Sequence, residues 1–164
     1  MVQITALSLF IINRVLLRRL TLGISAKSLS RTLGHSPNYV ITIENKNKTT
    51  SYPPHEWPKL ATALNCQIHD LLPNADSNST GELVDKKVLN LSIESDLKLV
   101  FKELVYHGFF NQEKSIQDVA DHLFIRDEEQ LKIIDIVLNR FVKDGLLQPM
   151  GNSIFIINDQ NKKL

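Results

Sequence analysis

The chain has 164 residues, of which 43% are hydrophobic and 23% are charged, as in a folded globular protein. Its single cysteine excludes an internal disulfide and a zinc site built from several cysteines. The net charge is only +1, yet residues 1–73 hold 8 Lys+Arg and 3 Asp+Glu (+5), whereas residues 74–164 hold 11 and 15 (−4). This asymmetry predicts two modules with different partners.

The first stretch of the chain is apolar from Val2 to Ile12. A secretion signal would need a basic start and a small-residue cleavage site, and this stretch has neither. A membrane span would need about 20 apolar residues. The stretch is therefore predicted to be the buried side of a first helix, with no membrane contact and a cytoplasmic location.

Apolar residues at helical spacing predict a five-helix N-terminal module over residues 1–73. Ser25 and Ser36 are the expected N-caps of the second and third helices, and Pro37 is expected at the first position of the third helix. The five predicted helices lie at 9–20, 26–33, 36–45, 54–64 and 68–72.

Residues 74–82 are small and polar and are predicted to be a linker. The second module, residues 83–164, shows three helical patterns and then two short apolar runs that predict a β-hairpin. These elements lie at 97–107, 116–123, 127–143 and 146–157. The predicted fold class is therefore mainly α, with a small β element in the second module.

Residues 26–45 fit a helix-turn-helix, in which Gly34 supplies the positive φ of the turn. With the apolar residues of the third helix directed into the core, its other face presents Asn38, Ile41, Thr42 and Asn45. Asparagine can bond adenine through two hydrogen bonds, threonine can serve several bases, and isoleucine can contact a thymine methyl group. This uncharged face is predicted to read bases in the major groove.

Residues from about 14 to 72 resemble the lambda-repressor-like, XRE-type helix-turn-helix domain. The shared pattern is an arginine helix, a G-(I/L)-S step, G-x-S before the recognition helix, I-E at its end, then L-A-x-A-L and D-L-L. The matching residues are Arg19, Gly23-Ile24-Ser25, Leu29, Leu33-Gly34, Ser36, Tyr39, Ile43-Glu44, Leu60-Ala61-Thr62-Ala63-Leu64 and Asp70-Leu71-Leu72.

The resemblance implies that Ser36, Pro37, Asn38 and Thr42 face bases, and helical geometry adds Ile41 to this set. Phosphate contacts are expected from cations and hydrogen-bond donors beside the recognition helix. The expected phosphate contacts are Tyr39, Asn45, Lys46 and Lys48. Two alternatives remain open: the lysines can belong to an ordinary solvated loop, and Tyr39 can be a packing residue.

The family pattern also implies that Arg19 and Glu44 pair within the fold. The chain departs from the family at three positions: Ala26 replaces a glutamine that supports DNA contacts, Lys46 replaces a glycine, and His35 occupies a normally apolar turn position. The first departure weakens the DNA-reading interpretation, and the cation at Lys46, beside Lys48, is expected to compensate for it.

The second module resembles a winged-helix domain over residues 97–157. If its long helix entered a groove, it would present Asp127, Glu128 and Glu129 first. These carboxylates would be repelled by phosphates, and no counterions would be released. The module is therefore expected to contact protein, most simply a second copy of the chain.

The function predicted from the sequence is a sequence-specific DNA-binding transcriptional regulator, most simply a homodimeric repressor. The alternative is an adaptor or antitoxin whose acidic module binds a partner protein and whose DNA binding is weak or lost. Cys66 with His69 cannot close a zinc site, and no motif for a nucleophile, a metal or a phosphate-binding loop is found. No enzymatic activity, metal or cofactor is therefore expected.

Overall fold

The computed structural model describes residues 2–74, 81–151 and 153–158, so most of the predicted linker lies outside the described residues. Seven α-helices and five short strands are found in these ranges. The expected mainly helical fold with a small β part is confirmed. The described residues form two compact units, one ending at Leu89 and the other starting at Asn90.

The first unit has four α-helices, two short 3-10 turns at Pro54–Glu56 and Ile68–Leu71, and two strands. Its regular elements are β1 (Gln3–Thr5), α1 (Ala6–Thr21), α2 (Ala26–Thr32), α3 (Tyr39–Glu44), α4 (Trp57–Ala63) and β2 (Leu83–Asp85). Its core is formed by fully buried aliphatic side chains from all four helices, among them Ile12, Val15, Leu29, Val40 and Leu60. The predicted helices are thus present, and the fifth is a 3-10 turn.

Two differences from the sequence prediction concern the ends of this unit. Residues Gln3–Thr5 form a strand ahead of α1, and β1 pairs with β2 in antiparallel register, with Ile4 opposite Val84. The predicted start of the second module at residue 83 therefore falls inside the first unit. The pairing has a simple cause: the amide groups of β1 need partners, and the chain that follows the linker supplies them.

The third helix also differs, because it begins at Tyr39, so the expected cap at Ser36 and the expected first position at Pro37 are both wrong. Asn38 occupies the cap position with a helical φ, and its side chain makes no capping hydrogen bond in the described structure. Ser36 instead closes a turn, because its carbonyl accepts a hydrogen bond from the Tyr39 amide at 3.0 Å. Ser36, Pro37 and Asn38 thus form an exposed turn that leads into the helix.

The second unit contains three helices, a 3-10 turn at Phe109–Asn111 and a three-stranded sheet. Its elements are α5 (Glu94–Tyr106), β3 (Lys114–Ser115), α6 (Ile116–His122), α7 (Glu128–Lys143), β4 (Leu147–Pro149) and β5 (Ile154–Ile157). Phe101 lies at its centre, 6.1 Å from the ring of Phe110 and 5.8 Å from that of Phe141. The predicted hairpin is β4–β5, and β3 adds an edge strand next to β5 that the sequence did not indicate.

Candidate nucleic-acid interface

The turn between α2 and α3 is held by backbone and side-chain hydrogen bonds around Ser30. The His35 amide donates to the Ser30 carbonyl at 2.9 Å, and Gly34 has a φ of +82°. The buried Ser30 hydroxyl donates to the Ala26 carbonyl at 2.8 Å and accepts from the Val40 amide at 3.0 Å. A small polar residue therefore allows the two helices to approach and also satisfies the first turn of α3.

The predicted base-reading residues lie together on one side of this turn and helix. Ser36, Pro37 and Asn38 are exposed, Ile41 is 42% exposed, and Thr42 is half-buried. The Thr42 hydroxyl donates to the Asn38 carbonyl at 2.9 Å. In this rotamer Thr42 can meet a base as an acceptor or through its methyl group, whereas Asn38 keeps both donor and acceptor functions at the surface.

The predicted phosphate-contacting lysines lie in the loop that follows α3. Lys46 and Lys48 are both exposed. Asn45 organises the start of this loop, because its side-chain oxygen accepts a hydrogen bond from the Asn47 amide at 2.8 Å. Lys46 and Lys48, which lie near the uncharged face, therefore belong to a loop with local turns rather than to a regular helix.

Tyr39 has a different environment from the one a phosphate contact requires. Its hydroxyl donates to the carboxylate of Glu56, and its ring stacks on the His35 ring with centroids 3.9 Å apart. Burial and the Glu56 carboxylate raise the pKa of Tyr39 well above its usual range. Because a phenol has one proton to donate, Tyr39 is a packing residue here, and the phosphate role expected for it is not supported.

Glu56 is a buried carboxylate, 3% exposed, for which no sequence motif indicated a role. Burial alone would raise the pKa of Glu56, but hydrogen bonds from Tyr39 and His35, with the charges of His35 and His55, hold it below its ordinary value. Glu56 thus ties the turn before α3 to the 3-10 turn that precedes α4. The sequence signal for this buried partner was His35, which occupies a turn position that is normally apolar.

Arg19 and Glu44 form the ion pair that the sequence led us to expect. The Arg19 side chain contacts both carboxylate oxygens, at 2.7 and 2.5 Å, and the two side chains are only 9% and 12% exposed. A third contact runs from Arg19 to the Ile24 carbonyl at 3.2 Å. This pair fixes the end of α3 to α1 and leaves neither group free for a ligand.

Lys86 is the second residue near the candidate site that no sequence motif indicated. The residue is 3% exposed, and its side chain donates to the carbonyls of Ile43, Lys48 and Thr50 at 2.7, 2.8 and 2.9 Å. It reaches the end of α3 because β2 pairs with β1 just before it. No local sequence pattern could reveal this contact, since the bonded residues are separated by 36–43 positions along the chain.

The helix pair α6–α7 of the second unit exposes negative charge, whereas the loop after α3 exposes lysines. Asp127 caps α7 by accepting from the Gln130 amide at 3.1 Å, and Glu128 and Glu129 in its first turn are exposed. Lys132 is paired with Glu129 at 2.7 Å. Carboxylates at a helix N-terminus are stabilised by the helix dipole, so this charge pattern stabilises α7 and disfavours a phosphate there.

Comparison with protein-family models, with curated proteins and with solved structures finds no match to this chain. Across residues 2–74, 81–151 and 153–158, no helix is long and apolar enough to span a membrane. In the same ranges, no three acidic, histidine or cysteine side chains are grouped as a metal site would require.

Proposed function

We propose that the protein is a sequence-specific DNA-binding regulator whose first unit places α3 and the preceding turn in the major groove. The supporting observation is the juxtaposition of an exposed, uncharged face with exposed lysines in the adjoining loop. A neutral hydrogen-bonding face can read bases, and cations beside it can contact phosphates without carrying sequence information. The residues assigned to bases are Ser36, Pro37, Asn38, Ile41 and Thr42, and those assigned to phosphates are Asn45, Lys46 and Lys48.

The second unit is proposed to be a winged-helix-like module that contacts protein. The order of its elements and the strand order β3-β5-β4 support that architecture. Leu99 and Tyr106, two turns apart on the same face of α5, are 47% and 69% exposed, which favours an interface. A second copy of the chain is the simplest partner, because paired first units would meet two half-sites about one helical turn apart.

The alternative function is a protein-interaction adaptor or antitoxin with weak or absent DNA binding. It is favoured by Ala26, which replaces the glutamine of the resembled family, and by the acidic start of α7. Under this alternative, the second unit would bind a different protein, and the first unit would contribute little to nucleic-acid affinity.

A gel-shift titration of the full chain against random duplex at low salt separates the two functions. A DNA-binding regulator retains the duplex and releases it as salt is raised, because bound lysines displace counterions from the phosphates. Selection of bound duplexes from a random pool then tests for a half-site and its spacing. Absence of retention at low salt would overturn the regulator proposal in favour of the adaptor.

A further inference from the structure

A buried lysine from the end of the first unit holds the loop that carries the proposed phosphate contacts. Lys86 follows β2, and its backbone amide donates to the Val2 carbonyl at 2.8 Å, which extends the β1–β2 pairing by one bond. Its side chain then crosses to the end of α3 and the loop beyond it. The ammonium group contacts the carbonyls of Ile43, Lys48 and Thr50 within 2.9 Å.

The chemistry of this contact identifies the ammonium form. An ammonium group has three N–H donors, and three carbonyl oxygens surround it, so every donor is satisfied. Burial lowers the pKa of Lys86 below its ordinary value. A buried charge is tolerated only where such partners replace water, and here the partners are backbone carbonyls rather than a carboxylate.

The position of the three acceptors makes the contact relevant to DNA. The Ile43 carbonyl belongs to the last turn of α3. The Lys48 and Thr50 carbonyls belong to the later part of the loop that follows α3. One nitrogen therefore fastens both ends of the loop formed by residues 45–50. Thr50 adds a second bond, because its hydroxyl donates to the Thr42 carbonyl at 3.1 Å.

We infer that Lys86 is a positioning residue for DNA binding, which holds the loop of residues 45–50 so that Lys46 and Lys48 meet the phosphates. This inference rests on the proposed function of the first unit. Lys86 does not contact DNA itself, since it is 3% exposed and its donors are occupied. The DNA-binding module is complete only when the segment after the linker, residues 83–89, is in place.

The main experiment compares Lys86→Met with Lys87→Met in the full chain. Both changes remove one positive charge, but Lys87 is exposed and serves as the matched control. We expect Lys86→Met to weaken binding to random and selected duplexes by about tenfold, and to reduce the slope of log K against log salt by about 1 to 2. Lys87→Met is expected to change affinity less than about twofold. Equal effects of the two changes would overturn the inference.

A second measurement separates positioning from general stabilisation. Lys46→Ala is introduced into the wild type and into Lys86→Met, and its effect on affinity is compared in the two backgrounds. If Lys86 positions the loop, Lys46→Ala costs little once Lys86 is gone. If Lys86 only stabilises the fold, the cost of Lys46→Ala is the same in both backgrounds, and the inference is wrong.

Two further outcomes are distinguishable. If Lys86→Met does not fold, Lys86→Gln keeps two N–H donors and is expected to show the same pattern with a smaller loss. If the wild-type chain retains no duplex at low salt, the proposed function fails. NMR of the Lys86 ammonium protons still tests the contact itself, because three carbonyl partners slow their exchange with water, whereas rapid exchange would contradict it.

Discussion

Each unit contains a helix pair, α2–α3 in the first unit and α6–α7 in the second. The two pairs share the same turn geometry but differ in the side chains that they expose. In the first unit the His35 amide bonds to the Ser30 carbonyl at 2.9 Å, and in the second the Ile125 amide bonds to the Ala120 carbonyl at 2.8 Å. Both Ser30 and Ala120 are fully buried. In each pair, a small residue therefore lies where the two helices approach each other. In each pair, a backbone hydrogen bond also closes a turn of six residues.

The turn residue itself is chosen differently in the two pairs. Gly34 has a φ of +82° and Phe124 has a φ of 60°, so both occupy the left-handed region. Glycine adopts this region at little cost, whereas a side chain there costs roughly 1–2 kcal/mol. The shared geometry thus does not depend on glycine, and the turn alone cannot identify a DNA-binding helix pair.

The surface of the second helix is what separates the two pairs. The exposed turn before α3 offers Ser36 and Asn38 with lysines nearby, whereas α7 starts with Glu128 and Glu129. Because phosphate affinity is dominated by electrostatics, the proposed DNA contact is assigned to the first of these two surfaces. A shared backbone motif therefore predicts architecture, and the exposed side chains predict the partner.

The largest expected difference concerns two ion pairs, one that links α3 to α1 in the first unit and one that links α7 to α5 in the second. Arg19→Met leaves the buried Glu44 unpaired and should lower the free energy of unfolding by about 3 kcal/mol. Arg140→Met breaks a pair with Glu94 whose side chains are 49% and 32% exposed, and should cost less than about 1 kcal/mol. Urea titrations measure both. A double change, Arg19→Met with Glu44→Gln, should recover part of the loss, and no recovery would argue against burial of the charge as its cause.

Replacement of Asn38 is the next largest effect and sharpens the comparison at the level of bases. Asn38→Ala should weaken binding to the selected duplex by about 1–3 kcal/mol and leave random duplex almost unchanged. Asn139→Ala on the exposed side of α7 is the matched control and should change neither affinity. Equal losses on selected and random duplex would remove the base-reading role of Asn38.

Removal of single lysines tests which surface faces phosphates. Lys46→Ala should weaken binding to every sequence and lower the slope of log K against log salt by about 1. Lys132→Ala on α7 should leave both quantities unchanged, because this lysine is paired with Glu129. A loss of affinity with Lys132→Ala would break the comparison, since it would place DNA against the second unit.

The smallest expected effect is at the shared turn. A Cβ at Gly34 would meet no atom within 4 Å, so Gly34→Ala should cost only its backbone strain, about 1 kcal/mol in thermal or urea unfolding. DNA affinity, measured below the melting temperature, should be preserved. A loss of affinity without a loss of stability would indicate that DNA passes close to this turn.

Several local features of the chain follow from short sequence patterns alone. Ser25 caps α2 as expected, because a serine oxygen placed before an apolar run satisfies amides of the first turn. Helical periodicity is also enough to orient Ile41 outward and Val40 inward. The cap and the first residue of α3 were predicted two residues too early, at Ser36 and Pro37, because Pro37 is equally suited to a turn.

Only the tertiary structure decided how distant segments meet at the candidate interface. The partners of β1, the buried Glu56 and the contact from Lys86 depend on groups brought together by folding, so no window of the sequence contains both sides of each interaction. The residues of the exposed, uncharged face of α3 and of the turn before it could be proposed from periodicity and charge. The backbone that holds them in place is decided by long-range pairing, because buried charges and strand amides need partners wherever the fold supplies them.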